Sequence, residues 1–529
     1  MLLDKASPLS HAPSRERLRT PQRHLELLIE PSPAELRRWL GAPPADWRPN
    51  VSILDSSAAE LGAALVRRLD LARPLVVTGH QVEFFHAGVL AKTVATALLP
   101  SAAAGRGLFV WVDSDLPKAA ALSFPALCDN EFRHVKVPLP ACAAGLPIES
   151  QPALPRERWL AFFDELARRL PDADQTLLAQ LRAALAAGSA GRVSITDLAE
   201  AAQRVALDAL GLPPVATVTV SRLMSGPELR AFAAHLLLHA RRFAECYNAA
   251  QAAYRARHRL RNPQRPAPPL RVEVRRVETP FWVYRAGRSR RRLFVADRGE
   301  VLELLADERP IGRLNVGQAA EVAFHRQPWP VEQAGWRIRP RALALSAALR
   351  LLLADVFIHG IGGAKYDEMT DDFLLRFWGR DAAPYACVSA TLLPAGAVDE
   401  SADEQLRELR RVRRDLHYNP QRHLAGLPPD LLTRRDELIR QSESLRRQRP
   451  HDRAARRRVF EELRRTNHEL LHADPLQAAD LERGWHALEQ RCRQQMLLRD
   501  REVFFALHRR SELATLVSRL REQLDSSGN

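Results

Sequence analysis

The sequence predicts an α/β protein with a parallel-sheet core in two halves, an α+β insertion between them and a helical C-terminal region. Three observations carry this prediction. Leu75-Val76-Val77-Thr78, a helix over Val89 to Leu99 and the strand Leu108-Phe109-Val110-Trp111-Val112 follow one another within about 40 residues. Strand, helix, strand at that spacing is a βαβ unit, which implies a parallel pair and a right-handed crossover. A second strand running into glycines and a helix, Asp355-Val356-Phe357-Ile358-His359-Gly360-Ile361-Gly362-Gly363-Ala364-Lys365, lies about 280 residues downstream. Beyond residue 398, apolar residues recur every three or four positions, the period of an amphipathic helix.

Taken in order, residues 1–139 supply N-terminal helices and the first half of the core. Leu25, Leu27, Leu28 and Ile29, then Ala34, Leu36, Trp39 and Leu40, carry helix-like patterning broken by Pro31 and Pro33. Residues 140–335 read as a connective insertion. Helices are expected over Arg156 to Arg169, Gln175 to Ala187 and Pro227 to Arg257, with a proline-rich joint at Pro263 to Pro269. A hairpin follows, Phe281 to Tyr284 and Arg290 to Val295, turning at Arg285 to Ser289. Residues 336–398 complete the core, with a helix over Ser346 to Ala354 leading to the second glycine segment. Residues 399–529 read as a helical hairpin or short coiled coil. Leu431, Leu438 and Leu445 are a heptad apart, Pro450 stops a helix and Asp452 can cap the next.

The chain has 529 residues, 46% of them hydrophobic, enough for two or three cores. The apolar stretch from Ala342 to Ile358 is interrupted by Arg350 and Asp355, so no membrane-spanning helix is expected. Without an apolar leader near Met1, the chain is expected to be cytoplasmic and soluble. Five scattered cysteines without a CxxC favour neither a zinc site nor a disulfide framework. The net charge of +15 would suit nucleic acid, but only five basic residues are lysines and the other 73 are arginines. That bias, with abundant Ala, Leu and Pro, fits a GC-rich coding sequence. Residues 401–529 hold 27 arginines and 21 acids with the signs interspersed, the pattern of a solvated helical surface. Nucleic acid is therefore not the expected partner.

Candidate chemistry gathers at the two glycine segments. Where strands of an open parallel sheet end and helices begin, free backbone N–H groups point outward and receive anions. In Thr78-Gly79-His80-Gln81 the glycine permits a sharp turn and close approach of a ligand. His80 and His86 could neutralise a phosphate or leaving group; alternatively His80 caps the sheet edge and His86 caps the helix. Lys92 and Lys365, two of the five lysines, sit in the two helix starts as compact cations. Asp113 and Asp115 follow the next strand and share a side if it continues that far. They could hold a ribose hydroxyl, an amine or Mg²⁺, or be solvated turn residues. Gly360, Gly362 and Gly363 suit an anion cradle, although the segment fits neither GxGxxG nor the Walker pattern. The run Arg285, Arg288, Arg290, Arg291 and Arg292, interleaved with Trp282 and Tyr284, reads as a solvated hairpin surface, with phosphate or RNA binding as its alternative.

These segments resemble the cysteine-adding enzyme family of bacillithiol biosynthesis. The family's Thr-Gly-Gln-Gln segment and Ser-Gly-Pro helix start resemble Thr78-Gly79-His80-Gln81 and His86-Ala87-Gly88. Its Phe-Trp strand ending in acids resembles Phe109 to Asp115, and its Arg-Pro stretch and double-glycine turn resemble Arg339-Pro340-Arg341 through Gly362-Gly363. Departures fall at His80, at Ser114, at the late turn Gly362-Gly363-Ala364-Lys365 and at Lys92, which misses the helix offset of the family's lysine, so the chain reads as a divergent member. The resemblance implies a split Rossmann-like core related to nucleotidyltransferases and class I synthetases, and a homodimer through a C-terminal coiled coil. It implies ligation of cysteine to an amine such as glucosaminyl-malate, with ATP or ADP; Mg²⁺ enters only as an ion that Asp113 and Asp115 could hold. Thr78, Gly79, Gln81, Gly88, Gly360, Gly362 and Gly363 would line the nucleotide pocket. Of the candidate catalytic residues, the resemblance carries over Asp113 and Asp115, facing the substrate or ribose, while His80, His86, Lys92 and Lys365 come from the reading of the residues themselves. A nucleotide-binding relative with another substrate, a non-catalytic scaffold and an RNA-binding protein are the alternatives.

Overall fold

The computed structural model describes residues 17–41, 51–100, 105–129, 131–140, 142–170, 172–189, 191–262, 267–319, 329–394 and 401–526. Two compact units emerge. The first gathers Met1–Ala126, Val135–Pro394 and Arg501–Asn529; the second gathers Leu127–His134 and Ala395–Asp500.

The strands that organise the first unit are β1 (Leu27–Glu30), β2 (Leu75–Gln81), β3 (Arg106–Val112), β4 (Ala216–Thr219), β5 (Val277–Arg285), β6 (Arg291–Asp297), β7 (Val301–Ala306), β8 (Arg309–Asn315), β9 (Trp336–Pro340), β10 (Val356–His359) and β11 (Tyr385–Ala390). Three helices lie close to the site: α1 (Ala87–Leu98), α2 (Ala342–Leu352) and α3 (Ile361–Trp378). One sheet has the order β1-β11-β10-β2-β3-β4, parallel except for β1, which pairs antiparallel with β11. A second sheet, β8-β7-β6-β5-β9, is antiparallel throughout.

Alternation along the parallel strands sorts side chains into two cores, one on each face. Leu75, Val77, Leu108, Val110 and Phe357 enter one; Val76, Phe109, Trp111, Ile358 and Val388 enter the other. On the second face Phe85 stacks near Phe109 and Trp111, with ring centroids 6.2 and 5.9 Å away. Helix α1 is buried almost all round, which explains its apolar composition and makes Lys92 within it conspicuous.

The chain winds from β2 to β3 to β4 in one direction across the sheet, and from β10 to β11 in the other. Direction therefore reverses between β2 and β10, where a crevice opens beyond the strand ends. Two side-chain ties fix that pair. Asp355 accepts from the Leu75 amide at 2.7 Å and from Arg73 Nη1 at 2.6 Å, while Thr78 Oγ1 donates to the Ile358 carbonyl at 2.7 Å. Their register sets Thr78 opposite Ile358, the last pair the two strands share, so beyond it Gly79 stays paired only with β3 and His359 only with β11.

Several local expectations change. Leu27 to Glu30 form a strand rather than helix, because the edge of β11 supplies a partner some 360 residues away. Strand β4, inside the expected insertion, joins the core sheet beside β3. The helix expected over Pro227 to Arg257 is two helices meeting at His239. The residues 1–16 and 263–266 of the expected N-terminal helices and proline joint lie outside the described residues.

The second unit contains α4 (Ala402–Tyr418), α5 (Pro429–Gln448), α6 (Arg453–Ala473) and α7 (Pro475–Leu497). Helix α5 packs on α6 and α4 on α7. Asp452 and Asp474 cap α6 and α7, each accepting a backbone N–H at 2.9 Å. Leu416, Leu424, Leu427 and Leu470 make a small core, and Arg435 Nε donates to Asn467 Oδ1 at 2.9 Å across α5 and α6. The last helix, α8 (Arg510–Asp525), belongs to the first unit and packs its apolar face on α1. Among the described residues no helix is long and apolar enough to cross a membrane.

Candidate functional site

At the β2/β10 edge the two glycine segments open on one cavity of about 790 Å³. Gly79, His80 and Gln81 line it from the end of β2, and His359, Gly360, Gly362 and Gly363 from the end of β10 and the start of α3. The antiparallel sheet contributes Trp282 and Arg292, the residues flanking it contribute Arg290 and Arg341, and the chain returning before α8 contributes Arg501 and Glu502. Five Lys or Arg side chains, including Lys92, thus face two carboxylates, Asp115 and Glu502. Such a wall favours an anionic ligand.

The two helix starts differ in how their free N–H groups are used. His86 is the N-cap of α1, and its Nδ1 accepts from the Gly88 amide at 3.0 Å. Burial, foremost, pulls the His86 pKa from 6.5 down to about 4, with Arg501 and the nearby lysines pushing the same way and Glu502 opposing. A Cβ on residue 88 would come within 2.7 Å of both His86 Cε1 and Arg501 Nη2, so only glycine fits. Gly360, the N-cap of α3, offers no side chain to its helix. Nothing lies within 4 Å of where a Cβ of Gly362 would sit, so this start faces open space.

Lys92 is buried and its Nζ donates to the Gly79 carbonyl at 2.9 Å. Desolvation lowers its pKa from 10.5 to about 8, so the cation is weakly held at neutral pH and is favoured by an arriving anion. Burial and then the Lys92 charge hold the His80 imidazole well below 6.5; its Nδ1 lies 3.1 Å from the Gln81 carbonyl. Gln81 Nε2 donates to Asp115 Oδ2 at 2.5 Å, and Arg290 Nη1 to Asp115 Oδ1 at 2.5 Å. Arg290 and Arg341 each place a guanidinium over the Trp282 ring, at 4.8 and 4.2 Å.

The expected site residues divide accordingly. Gly79, His80, Gln81, His86, Gly88, Lys92, Asp115, Gly360, Gly362 and Gly363 line the cavity. Three do not. Thr78 is buried between β2 and β10, with its hydroxyl spent on Ile358. Asp113 turns the other way from Asp115 because β3 ends at Val112, breaking the alternation. It accepts from the Ser221 amide at 3.0 Å and from the Ser221 hydroxyl, which ties β3 to the helix after β4. Lys365 is half-buried one turn into α3, on the side where its carbonyl accepts from Tyr254 Oη at 2.5 Å. Among the described residues no group of three or more His, Cys, Asp or Glu is arranged to hold a metal ion.

Sequence reasoning set other lining residues outside the site, reading Arg290 and Arg292 as a solvated surface with phosphate or RNA binding as the alternative. Arg290 and Arg292 sit two apart, and that period alone could have set them on one face of the hairpin while Arg291 pairs outward with Asp307 at 3.3 Å. Arg501 and Glu502 carried no local signal, lying in an irregular stretch more than 400 residues from Gly88. Arg501 Nη2 donates to the Ala390 carbonyl at 3.0 Å, and Glu502 sits 3.6 Å from His86 Nε2. His359 was visible as the residue before Gly360, but its partner was not. Its Nε2 lies 2.9 Å from Asp367 Oδ2, and the same oxygen accepts from Arg350 Nη1 at 2.8 Å. Against known proteins, no family model matches the chain and no curated protein matches it.

Proposed function

We propose that the chain is a nucleotide-dependent ligase that activates the carboxyl group of an amino acid and transfers it to an amine. By the resemblance, cysteine is the amino acid and glucosaminyl-malate the amine. The observation that supports this reading is the convergence of two glycine edges, from adjacent parallel strands at the reversal point, on one cation-lined cavity. Its volume lies within the range of about 300–1,000 Å³ typical of small-molecule sites. In this reading the parallel sheet is a Rossmann-like core, and α4 to α7 are a coiled coil that makes a homodimer.

The open start of α3 would take the phosphates of ATP or ADP on its backbone N–H groups, with Lys92 and Arg501 neutralising charge as the acyl phosphate or acyl adenylate forms; Arg341 is already paired with Glu278 at 2.7 Å. Mg²⁺ would enter with the phosphates rather than in a protein cage, as is usual for that ion. Asp115, already held by Gln81 and Arg290, would orient the amine. The RNA-binding alternative loses support because Arg290 is engaged with Asp115, and Arg292 approaches Glu278 at 3.6 Å.

Calorimetric titration with ATP and ADP tests the reading. Micromolar binding that is weakened at least tenfold by Gly362→Val is expected, since the new side chain would fill the space above the helix start. Absence of nucleotide binding, or binding indifferent to that substitution, would remove the basis of the proposal. Salt-sensitive RNA binding without a nucleotide response would favour the alternative.

A further inference from the structure

Three histidines among the described residues line the cavity, and they are not equivalent. His86 uses Nδ1 to cap α1, and its Nε2 is 3.6 Å from Glu502, beyond hydrogen-bond reach. His80 leans on its neighbour's carbonyl, with Glu83 at 3.5 Å. His359 alone of the three has a carboxylate within hydrogen-bond distance of one ring nitrogen.

That carboxylate is unusually well fixed. Asp367 is 1% exposed and shares Arg350 with Asp371, whose Oδ1 lies 2.6 Å from Arg350 Nη2. Arg350 Nε also donates to the Ala383 carbonyl at 2.8 Å, and its guanidinium lies over the Tyr385 ring at 4.8 Å. Although burial opposes ionisation, the adjacent Arg350 and His359 hold the Asp367 carboxyl well below the usual range. Asp371 carries the cost instead, its pKa pushed up to about 7 chiefly by burial. An ionised carboxylate can only accept, so Nε2 must carry a proton, and in the neutral tautomer that this pairing selects the lone pair is at Nδ1. Among the described residues Nδ1 makes no hydrogen bond. It lies against Gly363, where an added Cβ would come within 2.5 Å of it.

We infer that His359, oriented by Asp367, is the base that accepts the proton of the attacking amine; this rests on the ligase reading above. The amine nitrogen attacks the carbonyl carbon of the acyl phosphate or acyl adenylate made from ATP. The C–N bond forms and the C–O bond to phosphorus-bound oxygen breaks, its electron pair leaving with phosphate or AMP. The amine proton passes to His359 Nδ1, giving an imidazolium stabilised by Asp367, and is released to water afterwards. Arg350 is a positioning residue: it keeps Asp367 ionised and touches no substrate. The charged and titratable groups near His359 are Asp367 and Asp371 from α3, Arg350 from α2, Tyr385 and Cys387 from β11 and Lys92 from α1.

The test uses the full chain with ATP, Mg²⁺ and cysteine, reading activation by trapping cysteinyl hydroxamate with hydroxylamine and transfer with glucosaminyl-malate as acceptor. In His359→Gln the ratio of transfer to hydroxamate formation is expected to fall about 100-fold or more, the usual size of a lost general base. Hydroxylamine is largely unprotonated at neutral pH and needs no base, and transfer should recover as pH rises. Asp367→Asn should lower the same ratio with a shifted pH profile. Transfer at the wild-type rate in His359→Gln would overturn the inference and leave the ligase reading standing. Wild-type protein that neither binds ATP nor forms hydroxamate would sink both. Nitrogen-15 NMR of the imidazole gives a readout apart from activity: a protonated Nε2 with a bare Nδ1 is expected near neutral pH, and the opposite tautomer would overturn the dyad.

Discussion

The edges at β2 and β10 are written alike in the sequence, as strand, glycine, histidine and helix, yet they do different work. At the β2 edge the polar groups are partnered within the edge itself: His86 with Gly88, Lys92 with Gly79, His80 with Gln81. Desolvation there drives both histidines toward neutrality and loosens the lysine proton. At the β10 edge the N-cap is a glycine without a side chain, and the helix start faces open cavity. Charge is concentrated deeper, in Asp367 and Asp371 about two and three turns along α3 and in Arg350 of α2. What fills the N-cap therefore decides whether a strand-to-helix turn is a wall or a receiving surface.

The largest expected break in this contrast comes from Arg350→Met. Two buried carboxylates would lose their cation, at a cost of about 3–5 kcal/mol in urea unfolding, because an unpaired buried charge is far worse than none. A loss below about 1 kcal/mol would mean that the β10 edge does not depend on this cluster. Next, Gly363→Ala should cost about 1–3 kcal/mol by driving a methyl into the His359 ring, whereas Gly362→Ala should change stability by less than about 0.5 kcal/mol. Equal losses at the two positions would contradict the geometry that separates them.

At the β2 edge, Lys92 predicts opposite pH trends for two measurements. Its folded pKa, about 8, lies below the ordinary 10.5, so the unfolded chain binds more protons between those values. Stability should therefore rise with pH across that window, while ATP affinity should fall above about pH 8 as the cation is lost. Lys92→Met should flatten both trends and weaken ATP about tenfold, equivalent to ~1.4 kcal/mol. The smallest effect is expected from His86→Asn. Wild-type stability should decline as pH falls from 6.5 toward 4, where the unfolded imidazole takes a proton that the folded one refuses. Asparagine keeps a capping side chain and cannot titrate, so the variant should hold its stability at neutral pH and show a shallower acid limb. An unchanged acid limb would assign that decline to other groups, such as the buried His508, whose pKa burial lowers to about 3.

Much of the fold was legible because its signals are local. β-branched runs such as Val76-Val77-Thr78 make strands, and period-four leucines make α4 to α7. Asp452 announces a helix start by offering an acceptor to the Ala455 amide. The glycines at 79, 88, 360, 362 and 363 were legible too, because close approach and open helix starts require residues without Cβ. Local signals could not give β1, which is a strand only because β11 lies beside it, nor β4, which completes the sheet from within the middle of the chain.

The chain by itself determined where strands yield to helices and which small residues stand at those junctions, since periodicity, capping and sterics act over a few residues. Tertiary structure decided which charged groups meet there. Asp115 faces the cavity and Asp113 does not because β3 stops between strand and turn. Arg290 and Arg292 turn inward because the hairpin packs toward the core, and Arg501 and Glu502 arrive from the far end of the sequence. Electrostatic partners are chosen by distance in space, and spacing along the chain carries no record of those contacts.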